Sequence, residues 1–268
     1  MNLRERYGPW AVITGASEGT GAEFARQLAA AGISCVLIAR REAPLKALAD
    51  EIRAKSKVEI VTASVDLGAA DAGARIIEAA GDREVGLFIN NAGADPNGSR
   101  FLDKDMASWR SLLAINANTP MECVHHFGAG MRARGKGGII LVSSGACYGG
   151  ALGLAVYSAS KAFNLCFSES LWAELKPHNV DVLSLVLGQT DTPAHRQLRE
   201  EKNMAEPANM ASPVDVARIG LEQLPHGPIY NWGQANNVTG MMGSSADDRR
   251  ARVEMISKGT IRYVDRAS

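Results

Sequence analysis

The sequence lacks a long hydrophobic run, an excess of charge of either sign, and a cysteine pattern, and each absence removes a class of function. No apolar stretch in its 268 residues approaches the roughly 18 that a membrane-spanning helix requires. Met1 to Tyr7 mix charges before any apolar run, unlike a secretory leader, so the expected location is the cytoplasm. Lysine plus arginine equals aspartate plus glutamate at 29 each, which leaves no global field to gather nucleic acid or an anionic membrane. Neither is expected as a partner, and a charged ligand must be held locally. Cys35, Cys123, Cys147 and Cys166 are widely spaced, form no C-x-x-C and fall in apolar or small-residue segments. They read as buried thiols in a reducing compartment rather than disulfides or metal ligands. His125 and His126 are adjacent, so on a helix they point apart and cannot form an i, i+4 metal pair.

What is present is an apolar fraction of 46%, enough to fill one continuous core in a single large α/β domain or two small ones. Short β-branched runs recur at Trp10 to Thr14, Cys35 to Ala39, Glu59 to Ser64, Val85 to Asn90, Gly138 to Ser143 and Val180 to Val186. Between them lie Ala22 to Ala31, Pro44 to Lys55, Ala69 to Ala80, Met106 to Arg134 and Val156 to Lys176, whose apolar spacing mixes three and four. Gly32, Gly81, Gly135 and Pro177 sit where these helices should stop.

Alternating strands and helices, with strands apolar at nearly every position, predict a Rossmann-like, doubly wound parallel sheet of about seven strands covered on both faces. No linker or repeat divides the chain, so one domain over residues 1–268 is expected, with ligands at the carboxyl ends of the strands. Gln189 to Ser212, polar and Met-containing, reads as a lid before a short helix at Pro213 to Leu224. In the extension over residues 227–268, an edge strand at Pro228 to Trp232 and a helix at Asp247 to Val264 are expected. Trp109, Trp172 and Trp232 read as core or subunit-contact residues.

The first strand runs into Thr14-Gly15-Ala16-Ser17-Glu18-Gly19-Thr20-Gly21. Glycines there permit a tight turn and close backbone approach to a pyrophosphate at the amides of the helix that follows. A glycine-rich turn is weak evidence by itself. Asn90-Asn91-Ala92-Gly93 closes the fourth strand, and Tyr157-Ser158-Ala159-Ser160-Lys161 has the spacing Y-x-x-x-K. Ser144 lies thirteen residues before Tyr157, and Asn116 falls inside the preceding long helix.

Together, in this order over roughly residues 10 to 195, these motifs resemble the short-chain dehydrogenase/reductase family. The resemblance implies a nicotinamide-dependent oxidoreductase with Asn116, Ser144, Tyr157 and Lys161 as catalytic residues. It places Gly15, Ser17, Glu18, Gly19, Thr20 and Gly21 at the cofactor phosphates, and Asp66 and Leu67 at the adenine. Asn91, Gly93, Tyr157, Lys161, Gly188, Thr190 and Thr192 line the remainder of the cofactor. It also implies a homodimer or homotetramer. Leu187 stands where the family has proline before the glycine, which loosens that backbone.

Chemistry supports the same residues. Hydride transfer to a carbonyl leaves charge on oxygen, so a site must supply a proton and stabilise the oxyanion. Lys161 and Tyr157 at i and i+4 share a helix face, and an ammonium there favours the phenolate. In the family this lysine also binds the nicotinamide ribose, and the asparagine holds a relay water. Asp66 has a second reading as the N-cap of the next helix.

The second strand ends in Arg40-Arg41, where an acidic residue would bind the ribose of NAD and an arginine accommodates the 2′-phosphate of NADP. NADP(H) is therefore expected, with NAD(H) possible; Glu18 counts against NADP, since relatives that prefer NADP often put a basic or small residue there. The expected reaction is reduction of a neutral, fairly hydrophobic ketone or oxidation of its alcohol. The pocket is expected from Asp95 to Leu102, Ala146 to Leu154 and the lid, and the neutral substrate from its central segment, Gly145 to Leu152, which is small and apolar apart from Tyr148 and carries no arginine or lysine for an anionic group. An NAD-dependent alcohol dehydrogenase of the same fold and a catalytically silent nucleotide sensor are the rival readings.

Overall fold

In the computed structural model, which describes residues 2–232 except 94, 96, 97, 202, 206, 208 and 209, together with residue 258, strands and helices alternate from the start. The order is α1 (Leu3–Tyr7), β1 (Trp10–Thr14), α2 (Gly19–Ala30), β2 (Ser34–Ala39), α3 (Glu42–Lys55), β3 (Ile60–Ser64), α4 (Ala72–Ala80) and β4 (Val85–Asn90). There follow α5 (Met106–Leu113), a π-turn (Ala114–Asn118), α6 (Thr119–Arg134), β5 (Gly137–Ser144), α7 (Ala155–Leu175), β6 (Val180–Leu187), α8 (Pro193–Glu201), α9 (Pro213–Gln223) and β7 (Ile229–Asn231). The strands form one sheet in the order β3-β2-β1-β4-β5-β6-β7, and every pairing is parallel.

Parallel strands need crossover helices on the sheet faces, and both faces are then buried. Side chains alternate accordingly. Ile13, Leu37, Ile89 and Leu185 pack with Phe24, Leu28, Leu48 and Leu221 on one side. Val12, Val36, Phe88 and Leu141 pack with Ile76, Val124, Phe127 and Leu175 on the other. The sheet grows outward in both directions from β1 and β4, so connecting loops diverge there and leave a crevice at the carboxyl edge.

Several boundaries differ from expectation. The stretch Met106 to Arg134 is interrupted at the π-turn, and Pro120 supplies the cause. Pro120 has no N–H to donate to the carbonyl of Asn116, and its ring crowds that carbonyl, so the turn widens. Helix α4 starts at Ala72 with Asp71 as its cap, not at Ala69, so Asp66 caps no helix. The lid holds α8, which the polar sequence hid because it buries no residue. Cys166 is exposed, which corrects the expectation of four buried thiols. Trp109 is a core residue, while Trp172 and Trp232 are half-buried against the two cores. The expected helix at Asp247 to Val264 lies outside the described residues apart from Lys258. No helix among the described residues is long and apolar enough to cross a membrane.

Candidate active site

The glycine turn after β1 is built as its sequence requires. Gly15 and Gly19 have φ of 64° and 56°, in the left-handed region where a side chain is strained. A Cβ on Gly21 would lie 2.2 Å from the Gly15 carbonyl oxygen, so only glycine lets α2 begin this close to the turn. Glu18 precedes α2 but its side chain does not cap it. The first-turn amides are therefore left to a ligand, and such an end favours an anion. The cradle fits a pyrophosphate.

Hydrogen bonds and close approaches lead from this turn toward the tyrosine. The Asn91 Nδ2 donates to the Gly15 carbonyl at 3.1 Å, and Thr14 Oγ1 donates to Asn90 Oδ1 at 2.8 Å. Two residues on, Gly93 abuts the interior. A Cβ there would lie 2.6 Å from Lys161 Nζ and 2.7 Å from Asn116 Oδ1. Lys161 is 2% exposed and Asn116 fully buried. The Lys161 Nζ donates to the Val142 carbonyl at 3.0 Å and stands 5.7 Å from the centroid of the Tyr157 ring.

Ser144 ends β5, and its Oγ accepts from the Ala146 N–H at 3.2 Å, which leaves the hydroxyl proton free to point at the site. Burial pushes the Tyr157 phenol above its ordinary range; a hydrogen bond with Ser144 opposes this, and the Asp95 carboxylate adds to it. Burial also pulls the Lys161 ammonium down to about 8. An acid held protonated beside a cation near its titration point suits proton donation at neutral pH.

Asn164 was not singled out by the sequence. It is fully buried, lies on α7 three residues after Lys161, and its Nδ2 donates to the Asn116 carbonyl at 2.9 Å. That carbonyl is the one Pro120 leaves without a donor, so Asn164 replaces the missing helical hydrogen bond. The side-chain amide of Asn116 meets no hydrogen-bond partner among the described residues. Pro120 was the available signal in the sequence, because a proline inside a helical pattern frees the carbonyl four residues earlier.

The remaining expected cofactor residues lie around the same edge. Ser17 and Thr20 belong to the turn and the first turn of α2. Arg40 is exposed and follows β2, while Arg41 Nη2 pairs with Glu18 Oε2 at 2.6 Å. Asp66 is exposed and accepts from the Gly68 N–H at 3.0 Å in a local turn. Leu67 is buried, and its carbonyl accepts from Thr119 Oγ1 at 3.0 Å. Gly188 follows β6, Thr190 bridges to Ala211 at the base of the lid, and Thr192 Oγ1 accepts from the His195 N–H at 3.2 Å. A Cβ on Gly19 would lie 2.9 Å from Thr192 Cγ2, which places the lid's first turn over the glycine turn.

Comparison with known proteins identifies the family. The family model for short chain dehydrogenases matches residues 9–203. A 7beta-hydroxysteroid dehydrogenase of Clostridium sardiniense is 31% identical over 258 residues, 96% of this chain and 98% of that protein. A solved structure from work on 7beta-hydroxysteroid dehydrogenase stereoselectivity superposes with a TM-score of 0.85 at 27% identity, covering 94% of this chain and 99% of that one. The bulky-bulky ketone specific alcohol dehydrogenase of Comamonas testosteroni superposes with a TM-score of 0.74 at 25% identity, covering 95% and 94%. The chain belongs to the short-chain dehydrogenase/reductase family, oxidoreductases that interconvert carbonyls and alcohols with a nicotinamide cofactor.

Proposed function

We propose that this protein is an NADP(H)-dependent reductase of a bulky, neutral, hydrophobic ketone, with Tyr157 as the proton donor. The observation that carries the reading is the placement along one sheet edge of the uncapped α2 turn, Asn91 bonded to it, Gly93 against Lys161 and Asn116, and Lys161 beside the Tyr157 ring. Gly15, Ser17, Gly19, Thr20 and Gly21 would hold the phosphates. Arg40 and Arg41 would take the 2′-phosphate, Asp66 and Leu67 the adenine side, and Gly188, Thr190 and Thr192 the nicotinamide side. When bound, the cofactor supplies the hydride.

The chain's own groups handle the proton. Tyr157 Oη donates its proton to the carbonyl oxygen as charge develops there, and Ser144 donates a hydrogen bond to the same atom. The Lys161 ammonium stabilises the phenolate left behind. Asn116 presents its amide beside Lys161, within reach of a water that returns a proton. The segment from Gly145 to Leu152 is small and apolar apart from Tyr148, which suits a large apolar substrate, and the hydroxysteroid and bulky-ketone relatives support that size class. Exposed Leu113, Met121 and Phe163 on neighbouring elements support a homodimer or homotetramer, which sedimentation equilibrium reads directly.

A second reading, an NAD-dependent alcohol dehydrogenase, is favoured by Glu18 alone. Initial rates with NADPH and NADH across neutral ketones, steroid-like carbonyls and small charged keto acids decide between them. Faster NADPH-dependent turnover of the bulky neutral ketones is expected. Comparable turnover of the charged keto acids refutes the proposed substrate class, and faster turnover with NADH refutes the proposed cofactor.

A further inference from the structure

Tyr148 interrupts the small, apolar run that follows Ser144. It closes a 3₁₀ turn, Gly145–Tyr148, which begins at Ser144 with the Ala146 N–H bonded to Ser144 Oγ. The turn packs against α7, the helix that carries Tyr157. From its end, Tyr148 Oη donates to Oδ1 of Asn231, the last residue of β7. Both side chains are half-buried.

Sheet register locates this bond relative to the catalytic edge. Ser143 pairs with Val186 on β6, and Val186 pairs with Asn231 on β7. Neighbouring strands lie roughly 4.8 Å apart, so the Asn231 backbone stands about 10 Å from that of Ser143, across the end of β6. Side chains alternate along a strand. Tyr230 and Trp232 pack into the core on the side of α2 and α9, so Asn231 points to the other face, which α7 covers. The lid leaves β6 in the opposite direction, with Thr192 over Gly19. Ser144 on β5 stands between them in the strand order, and the Tyr148–Asn231 pair bounds the site on the side away from the lid.

A polar pair in an apolar wall constrains what can be laid against it. A phenol oxygen that donates one hydrogen bond can still accept, and an amide whose oxygen accepts has N–H groups that donate. These are the two complements of a hydroxyl, and the amide alone serves a carbonyl. A wholly apolar ligand in the same place displaces water from both groups and returns no hydrogen bond, which costs free energy. We propose that Tyr148 and Asn231 form a second polar point of the substrate pocket, and that the substrate is a bulky ketone carrying a hydroxyl or carbonyl oxygen about 10 Å from the carbonyl that is reduced. The proposal rests on the ketone reductase reading above and narrows it to ketones with a second, remote oxygen.

Initial rates of the full chain on two rigid polycyclic ketones, identical except for a hydroxyl about 10 Å from the carbonyl, test this. The wild type should prefer the hydroxyketone by about tenfold in kcat/KM, the worth of one or two neutral hydrogen bonds. The preference should lie in KM, because the second oxygen is remote from the reacting atoms. In Tyr148→Phe and in Asn231→Leu, each checked for folding by thermal unfolding followed by circular dichroism, the ratio should fall toward one. A wild-type ratio near one, or a ratio that folded Tyr148→Phe keeps, overturns the second polar point and leaves the ketone reductase reading standing. Turnover of neither ketone by the wild type with NADPH or NADH overturns that reading, and this proposal with it.

Discussion

Lys161 sits at 2% exposure with the Val142 carbonyl as its Nζ acceptor, and burial lowers its pKa to about 8. A buried ammonium loses its charge as pH rises through that value. The phenol of Tyr157 is shifted the other way and stays protonated over the same range. In ketone reduction the ammonium must be charged to stabilise the phenolate as the proton leaves. The rate of reduction should therefore be level at lower pH and fall above about pH 8, measured as kcat against pH at saturating cofactor. A profile that stays level well above that value argues against a charged Lys161 in the proton step. At this scale Tyr157, Lys161 and Ser144 were legible because their spacing carries meaning in the sequence. Asn164 was not, because one polar residue within a long helical pattern reads as an ordinary surface position until the fold buries it.

At the scale of elements, the π-turn between α5 and α6 couples two pieces of the site. It presents Asn116 to Lys161 and Gly93, and it is tied to α7 by the Asn164 side chain. Leucine at position 164 keeps the volume and removes the donor, so the Asn116 carbonyl is left buried and unpaired. Such a group costs about 1–3 kcal/mol. Asn164→Leu should lower the unfolding free energy by that amount in urea titration and reduce kcat, because Lys161 and Asn116 lose their fixed relation. Unchanged stability and unchanged kcat would remove Asn164 from the account. Strand positions were readable because parallel strands buried on both faces are continuous apolar runs. The break at residues 114–118 was not, since apolar spacing continues across it and only Pro120 marks it. Helix α8 was hidden for the opposite reason: without a buried face it leaves no periodicity to read.

For the whole molecule, zero net charge means that an anionic cofactor is held by local geometry at one edge of the sheet. The strand order places the glycine turn, the Asn91 to Gly93 segment and Ser144 on the adjacent strands β1, β4 and β5. Three motifs more than fifty residues apart in sequence thereby become one site, and their order along the chain was enough to read this arrangement in advance. The substrate was less legible, because the loops that select it lie beyond the strand ends and follow no period.

The central claim is that Tyr157 moves the proton at this site. NADPH oxidation with a bulky neutral ketone, followed in the wild type and in Tyr157→Phe, tests it most directly, with NADPH affinity measured in both. The phenylalanine variant keeps the ring and its packing and removes only the hydroxyl. A loss of kcat of about 10²- to 10⁴-fold with NADPH binding retained is the expected result. Turnover near the wild-type rate would contradict the account.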